Sequence, residues 1–271
     1  MASLIETVIL GIIQGLTEWL PISSSGHLAI ASKFFGYEPS VFYYVLLHIG
    51  TLFVVLAFLR RDVWNVLRAL IRRDFRSEEG RLAVFVAVGS IHIIIVGLVV
   101  ELYFDTIFSS LLESMFFIGG ALLATGFLLL VSERRVGNKA LGYLDSFIVG
   151  VAQAVSLLPG VSRSGATIST ALLRGVEREK AFKYSFLLSI PAILGAFCLS
   201  AFKTVKDAGL SDLSLPISED LLFMVVGVVV SMVVGYLSLK ILLRLVRGQK
   251  FHWFAVYCWV AGALVLVSQI R

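Results

Sequence analysis

Six stretches of this chain are apolar for close to twenty residues each, at about 41–59, 82–100, 115–132, 181–202, 221–243 and 252–270. A hydrocarbon layer about 30 Å thick needs roughly 20 mostly apolar helical residues to cross it. Six such stretches in 271 residues leave room for little besides a helical membrane bundle. None shows the two-residue alternation of a membrane strand, which argues against a β-barrel. Composition agrees, with 58% hydrophobic residues, 15% charged residues and a mean hydropathy of +0.94, far from a soluble domain. The opening residues MASLIETVILGIIQGLTEW lack a basic leader and a cleavage site and include Glu6 and Glu18, so no removable signal peptide is expected. Cys198 and Cys258 fall in apolar spans and read as buried thiols.

A net charge of +5 raises the question of nucleic acid, but the placement of the charges answers it. Seven arginines lie in 60–81; Arg244, Arg247 and Lys250 lie in 244–251. The stretch 133–183 adds Arg134, Arg135, Lys139, Arg174, Arg178, Lys180 and Lys183. The connection 101–114 has no basic residue, and 203–220 has two against four acids. With six spans, every basic connection falls on one side, and lysine and arginine excess marks the cytoplasmic side. The reading is a multi-pass plasma-membrane protein that contacts lipid headgroups and binds no nucleic acid.

Two further apolar stretches are too short to span. Residues 4–16 run into Thr17, Glu18 and Pro21, and residues 146–158 run into Pro159-Gly160. Thirteen helical residues rise only about 20 Å, and proline and glycine then break the helix. Broken backbone at membrane depth survives only where protein or a watery cavity satisfies it. Both stretches therefore read as re-entrant helix–loop–helix elements. They also resemble each other. GIIQGLTEWLPISSSG at 11–26 aligns with GVAQAVSLLPGVSRSG at 150–165 at an offset of 139, and VLLHIGT at 45–51 echoes FLLSIPA at 186–192. Each half, 1–138 and 139–271, thus holds one re-entrant element and three spans. Three is odd, so the second half enters the membrane upside down. The expected architecture is an all-α inverted-topology repeat whose two re-entrant tips build one ligand site near the midplane.

The tips differ where chemistry is concerned. Arg163 stands opposite Ser24, and Leu157 opposite Glu18. An arginine at membrane depth marks a functional cavity, and its planar fork suits phosphate oxygens. Ser23, Ser24, Ser25 and Gly26 on one tip and Ser162, Ser164, Gly165 and Thr167 on the other offer hydroxyls and close backbone approach. Helix N-termini after the tips would add an anion site. Glu18 and His27 point to reaction rather than binding alone, because a serine needs a base to become a nucleophile. Either could be that base and the other the acid. A carboxylate could also hold a divalent cation. His48 and His92, each alone in an apolar span, read as packed and hydrogen-bonded, and His252 is given no role.

QGLTEWLPISSSGH and LPGVSRSGAT resemble the two signature motifs of the undecaprenyl-diphosphate phosphatases, integral membrane enzymes linked to bacitracin resistance. The resemblance extends over essentially the whole chain. It implies hydrolysis of a polyprenyl diphosphate to the monophosphate and inorganic phosphate at the outer face, recycling the lipid carrier of cell-wall or surface-glycan synthesis. It also implies that Glu18 closes the family's [Glu/Gln]-x-x-x-Glu motif, that Ser24 is the nucleophile, His27 the motif histidine and Arg163 the phosphate-binding arginine. A divalent cation, Mg or Ca, is expected at Glu18 and Gln14. Gln14 replaces the first motif glutamate, so a cation arriving with the diphosphate is expected over a protein-only site. Self-association into a homodimer is left open. The rival class is a lipid-phosphate flippase on the same inverted repeat, since fold does not fix function. The other large family of membrane lipid phosphatases fits poorly, because no histidine follows Arg163 until His252.

Overall fold

The structure is a computed structural model that describes residues 4–36, 40–135, 137–208 and 219–270; most of the charged connection 203–220 lies outside them. The described residues form twelve helices: α1 (Leu4–Trp19), α2 (Ser24–Phe35), α3 (Val41–Phe58), α4 (Arg60–Ile71), α5 (Glu78–Tyr103), α6 (Asp105–Glu113), α7 (Met115–Glu133), α8 (Tyr143–Val155), α9 (Arg163–Leu173), α10 (Arg178–Ala208), α11 (Glu219–Arg247) and α12 (Phe251–Ser268).

Helices α5, α7, α10, α11 and α12 are each long and apolar enough to cross a membrane, and α3 with α4 makes a sixth such unit bent by 83°. The bend separates two kinds of sequence. α3 holds no Asp, Glu, Lys or Arg, whereas α4 carries Arg60, Arg61 and Arg68 beside exposed Trp64, Leu67 and Ile71. That composition suits a helix lying in the membrane interface. All six predicted spans thus land on α3, α5, α7, α10, α11 and α12. Serine side chains start three of them: Ser40 accepts from Tyr43 N, Ser77 from Gly80 N and Ser114 from Phe117 N. The two short apolar stretches form α1 and α8, each followed by a turn and a second short helix, α2 or α9.

The packing repeats with the sequence. α1 lies on α11 and α8 on α5; α3 meets α11 and α10 meets α5; α3 and α10 meet each other, as do α7 and α12. Exchanging the halves converts each contact into another member of the set. Glycines set the closest approaches. A Cβ on Gly11 would come 2.6 Å from the Gly227 carbonyl oxygen, and one on Gly150 would come 2.5 Å from that of Gly89. A Cβ on Gly262 would come 2.7 Å from the Gly119 oxygen. Backbones this close need small residues at the crossing, the usual device for helix association in lipid. We propose the division into repeats 1–138 and 139–271 on the strength of these pairings.

The core lies between the halves, with Trp19, Val149, Ile168, Phe186, Leu188 and Leu239 among its most buried members. Large apolar side chains such as Ile95, Leu98, Phe127 and Val233 face outward, as lipid requires. Cys258 is buried as expected; Cys198 is exposed among these outward residues instead, and both thiols are free.

Candidate active site

Helix α1 stops at Trp19 and α2 starts at Ser24, with Pro21 between them. Ser23 adopts φ 72°, a left-handed conformation unusual for a non-glycine residue. Its hydroxyl accepts from Gly26 N at 3.3 Å, which caps α2. In the second element, Pro159 and Gly160 separate α8 from α9. Gly160 has φ +87° and lies so close to α7 that a Cβ would meet the Ile118 carbonyl oxygen at 2.7 Å. Both constraints select glycine. Ser162 caps α9 by accepting from Gly165 N at 3.1 Å. Thr125 of α7 donates to the Gly160 carbonyl at 3.3 Å, and Cys258 of α12 donates to the Pro21 carbonyl at 3.7 Å, so the two repeat-related helices each brace one tip.

α2 leads to the start of α3, opposite the basic connections, and α9 leads to α10 on the basic side. The tips therefore approach from opposite faces, and they meet. Ser164 donates to the Leu20 carbonyl at 3.4 Å, and a Cβ on Gly26 would sit 3.2 Å from Gly160 Cα. The N-termini of α2 and α9 both border one cavity of about 210 Å³, giving it the positive ends of two helix dipoles.

Glu18 is the centre of this site. It is only 6% exposed, and both carboxylate oxygens are engaged. Arg163 Nη2 donates to Oε1 in an ion pair. Oε2 takes Ser24 Oγ at 2.6 Å and Gln14 Nε2 at 3.1 Å, with His48 Nε2 at 3.3 Å. The Arg163 guanidinium also lies over the Trp19 ring, 5.5 Å from its centroid. A charge this deep needs partners of this kind, because an unpaired buried ion is costly. Thr17, Ser25, Ser156 and Ser162 complete the polar part of the cavity wall, and Val45, Ile93, Ala192, Ile193 and Ala196 form an apolar part.

Apart from Gln14, which bonds Glu18 from within α1, the predicted residues divide in three. Glu18, Ser24, Ser25, Ser162 and Arg163 border the cavity. Ser23, Gly26, Ser164, Gly165 and Thr167 build the tips behind it; Thr167 is fully buried, donating to the Arg163 carbonyl at 2.8 Å and paired with Ser185 at 2.6 Å. His27 is turned away. Its Nδ1 meets the Ser23 carbonyl at 2.7 Å, its Nε2 meets the Tyr257 hydroxyl at 2.7 Å, and its ring stacks on Tyr257. His27 is thus engaged with α12 and is not brought to Ser24.

His48 is hydrogen-bonded as expected, to the Tyr44 carbonyl, but it also borders the cavity and reaches Glu18, which the motifs do not indicate. One signal was present: within the echo of VLLHIGT by FLLSIPA, the histidine stands against Ser189. His92 is packed edge-on against Phe147, as expected, but its buried Nδ1 has no hydrogen-bond partner among the described residues.

The donor set does not suit a metal held by protein alone. Both oxygens of the one motif carboxylate are taken, and no group of three His, Cys, Asp or Glu side chains among the described residues is placed to hold an ion. Gln14 Oε1 is buried without a partner beside Glu18, a single neutral oxygen.

The sequence model described as "Bacitracin resistance protein BacA" matches residues 7–264. An undecaprenyl-diphosphatase of Korarchaeum cryptofilum is 38% identical over 269 residues, covering 96% of this chain and 97% of its own. An undecaprenyl-diphosphatase of Carboxydothermus hydrogenoformans is 39% identical over 270 residues, covering 97% of each chain. A third, from Methanococcus maripaludis strain C5, is 40% identical over 266 residues, covering 97% of this chain and 99% of its own. With a match across nearly the full length and the two motif tips joined at one cavity, the chain belongs to the BacA bacitracin resistance protein family.

Proposed function

We propose that the protein is an undecaprenyl-diphosphatase, hydrolysing the lipid diphosphate to the monophosphate and inorganic phosphate and so returning the carrier to use. The observation that carries this reading is the 2.6 Å hydrogen bond from Ser24 Oγ to Glu18 Oε2 at the mouth of two helix N-termini. It is the geometry of a nucleophile and its base.

The diphosphate occupies the polar end of the cavity, and its isoprenoid chain leaves along the apolar wall of Val45, Ile93, Ala192 and Ala196. Arg163 spends Nη2 on Glu18, leaving Nε and Nη1 for phosphate oxygens. The first-turn N–H groups of α2 and α9 supply further donors aimed at the same anion. Ser24 Oγ attacks the terminal phosphorus while its proton passes to Glu18. The bond to the bridging oxygen breaks, and the polyprenyl monophosphate departs. Water then attacks the phosphoserine and releases phosphate, with Glu18 relaying the proton. His27, held by Ser23 and Tyr257, takes no part in the first step. The divalent cation belongs to the substrate as a cation–diphosphate complex, a reading supported by a carboxylate already saturated with donors.

The cavity lies in the half of the bundle away from the basic connections, since Val45, Ile93 and Ala196 sit on the portions of α3, α5 and α10 remote from them. The charge rule puts that half outward, which supports a site opening to the outer face. Purified protein in detergent is expected to release phosphate from undecaprenyl diphosphate and to yield a phosphoserine at residue 24 on rapid acid quench. A flippase alone would release none. Full activity in Ser24→Ala without a phosphoenzyme would replace serine by direct attack of water.

A further inference from the structure

The two halves share a fold and much of their sequence, so positions where their chemistry differs are where one half has been given a task the other lacks. Three such differences stand out. Glu18 faces Leu157 in the repeat alignment, Ser24 faces Arg163, and His48 faces Ser189. The structure draws all the polar groups from these positions, except Ser189, to one point. Glu18 is bonded to Ser24, Arg163 and His48 at once. Ser189, the counterpart of His48, is fully buried and, among the described residues, bonds only the Phe186 carbonyl of its own helix. The fold therefore does not need a ring at this place in the repeat.

His48 also cannot turn freely. Its Nδ1 lies 2.8 Å from the Tyr44 carbonyl, an acceptor only, so Nδ1 carries the hydrogen and the ring is pinned to the α3 backbone. That leaves Nε2 facing Glu18 Oε2 at 3.3 Å, an ion pair when the ring is protonated. The histidine borders the cavity, as Ser24 does.

We propose that His48 is a positioning residue for the reaction, which holds the Glu18 carboxylate on Ser24 while Arg163 turns to the phosphates. The need for it follows from the resting geometry. Among the described residues Arg163 is the sole donor on Oε1, and a diphosphate competes for that guanidinium. As Arg163 is drawn off, the carboxylate keeps its aim only through Oε2. Gln14 comes from the same helix as Glu18, four residues earlier, and cannot fix the two relative to the rest of the site. His48 reaches in from α3 and can. A wandering base loses the alignment on which proton transfer depends.

This rests on the reading of Glu18 as the base, and the experiment separates the two. Asparagine at 48 keeps a donor for the Tyr44 carbonyl but stops short of Glu18, whereas the Nε2 of glutamine reaches the carboxylate. The kcat and KM for phosphate release from undecaprenyl diphosphate are measured for His48→Asn, His48→Gln, Glu18→Gln and the double variant His48→Asn/Glu18→Gln. The expected result is a kcat loss of about 10–100-fold in His48→Asn with KM little changed, and near-native kcat in His48→Gln. In the double variant, His48→Asn adds nothing to Glu18→Gln. Equal rates for His48→Asn and His48→Gln, or a loss in the double variant that multiplies the two, would overturn the role of His48 while leaving Glu18 in place. Glu18→Gln turning over at the native rate would instead remove the base itself.

Discussion

Replacing Gly150 by alanine tests whether the glycine crossings set the position of the catalytic tips. The added Cβ would lie 2.5 Å from the Gly89 carbonyl oxygen, 2.7 Å from Gly89 Cα and 2.7 Å from His92 Nδ1. Two of these neighbours are backbone atoms, which cannot swing aside. Ordinary contact near 3.5 Å requires α5 and α8 to part by roughly 1 Å. The direct cost of such overpacking is about 1–3 kcal/mol. The functional cost is larger, because α8 leads straight into the turn that carries Ser162 and Arg163. A misplacement of about 1 Å at reacting groups slows an enzyme by up to about 100-fold. We expect Gly150→Ala to retain its fold and lose about 10–100-fold in phosphate release. Gly11→Ala, which meets Gly227 in the mirrored crossing, should behave alike. Gly97 on α5 and Gly195 on α10 have nothing within 4 Å of an added Cβ, so alanine there should leave the rate unchanged. A Gly150→Ala enzyme as fast as Gly97→Ala would show that this crossing does not set the position of the tip.

Arg163→Lys keeps the charge and loses the fork, so it should bind and turn over diphosphate worse than native; Arg163→Ala, which also strands Glu18, should cost about 2–5 kcal/mol in kcat/KM. If Lys at 163 matched Arg, planar recognition would be discarded. Chelation should stop phosphate release, and, on the proposal that the cation comes with the diphosphate, added Mg or Ca should restore it without changing the thermal stability of the substrate-free protein; stabilisation by the metal alone would point to a resident site. Asp145, ahead of the apolar stretch of α8, accepts from Lys139 Nζ at 2.8 Å, Arg174 Nε at 3.0 Å and Gly142 N at 3.1 Å. Burial pushes its carboxyl up, but these donors outweigh burial and hold it below the usual value of 3.8. A depressed carboxyl contributes stability that is present above that value and lost as pH falls through the folded one. Native protein should therefore lose Tm on acidification below about pH 4, and Asp145→Asn should start lower and fall less; parallel acid limbs would contradict this.

Much of the fold was legible because membrane helices are written in long apolar runs, which few other structures tolerate. The re-entrant elements were legible for a second reason: helices too short to span, ended by Pro21 or by Pro159-Gly160, admit few other fates at that depth. The surface helix α4 was hidden, since its arginines served equally well as a basic connection. At the site, Glu18, Ser24 and Arg163 could be picked out as polar residues at repeat-related breaks. His27 and His48 could not be ranked from sequence. His27 sits in the motif, yet one helical turn carries its ring round to Tyr257. His48 lies outside both motifs, and only the packing of α3 against the tips brings it to Glu18. Side-chain direction and tertiary proximity decide such cases, and spacing along the chain encodes neither.

In the proposed mechanism Glu18, joined to Ser24 and Arg163, drives hydrolysis of a lipid diphosphate. The most direct measurement is the rate of phosphate release from undecaprenyl diphosphate by the native protein and by Glu18→Gln, purified alike. Loss of a general base typically costs about 10²–10⁴-fold, and we expect that loss in kcat, with the native protein active under the same conditions. Native protein that releases no phosphate, or a Glu18→Gln protein that releases it at the native rate, would contradict the account.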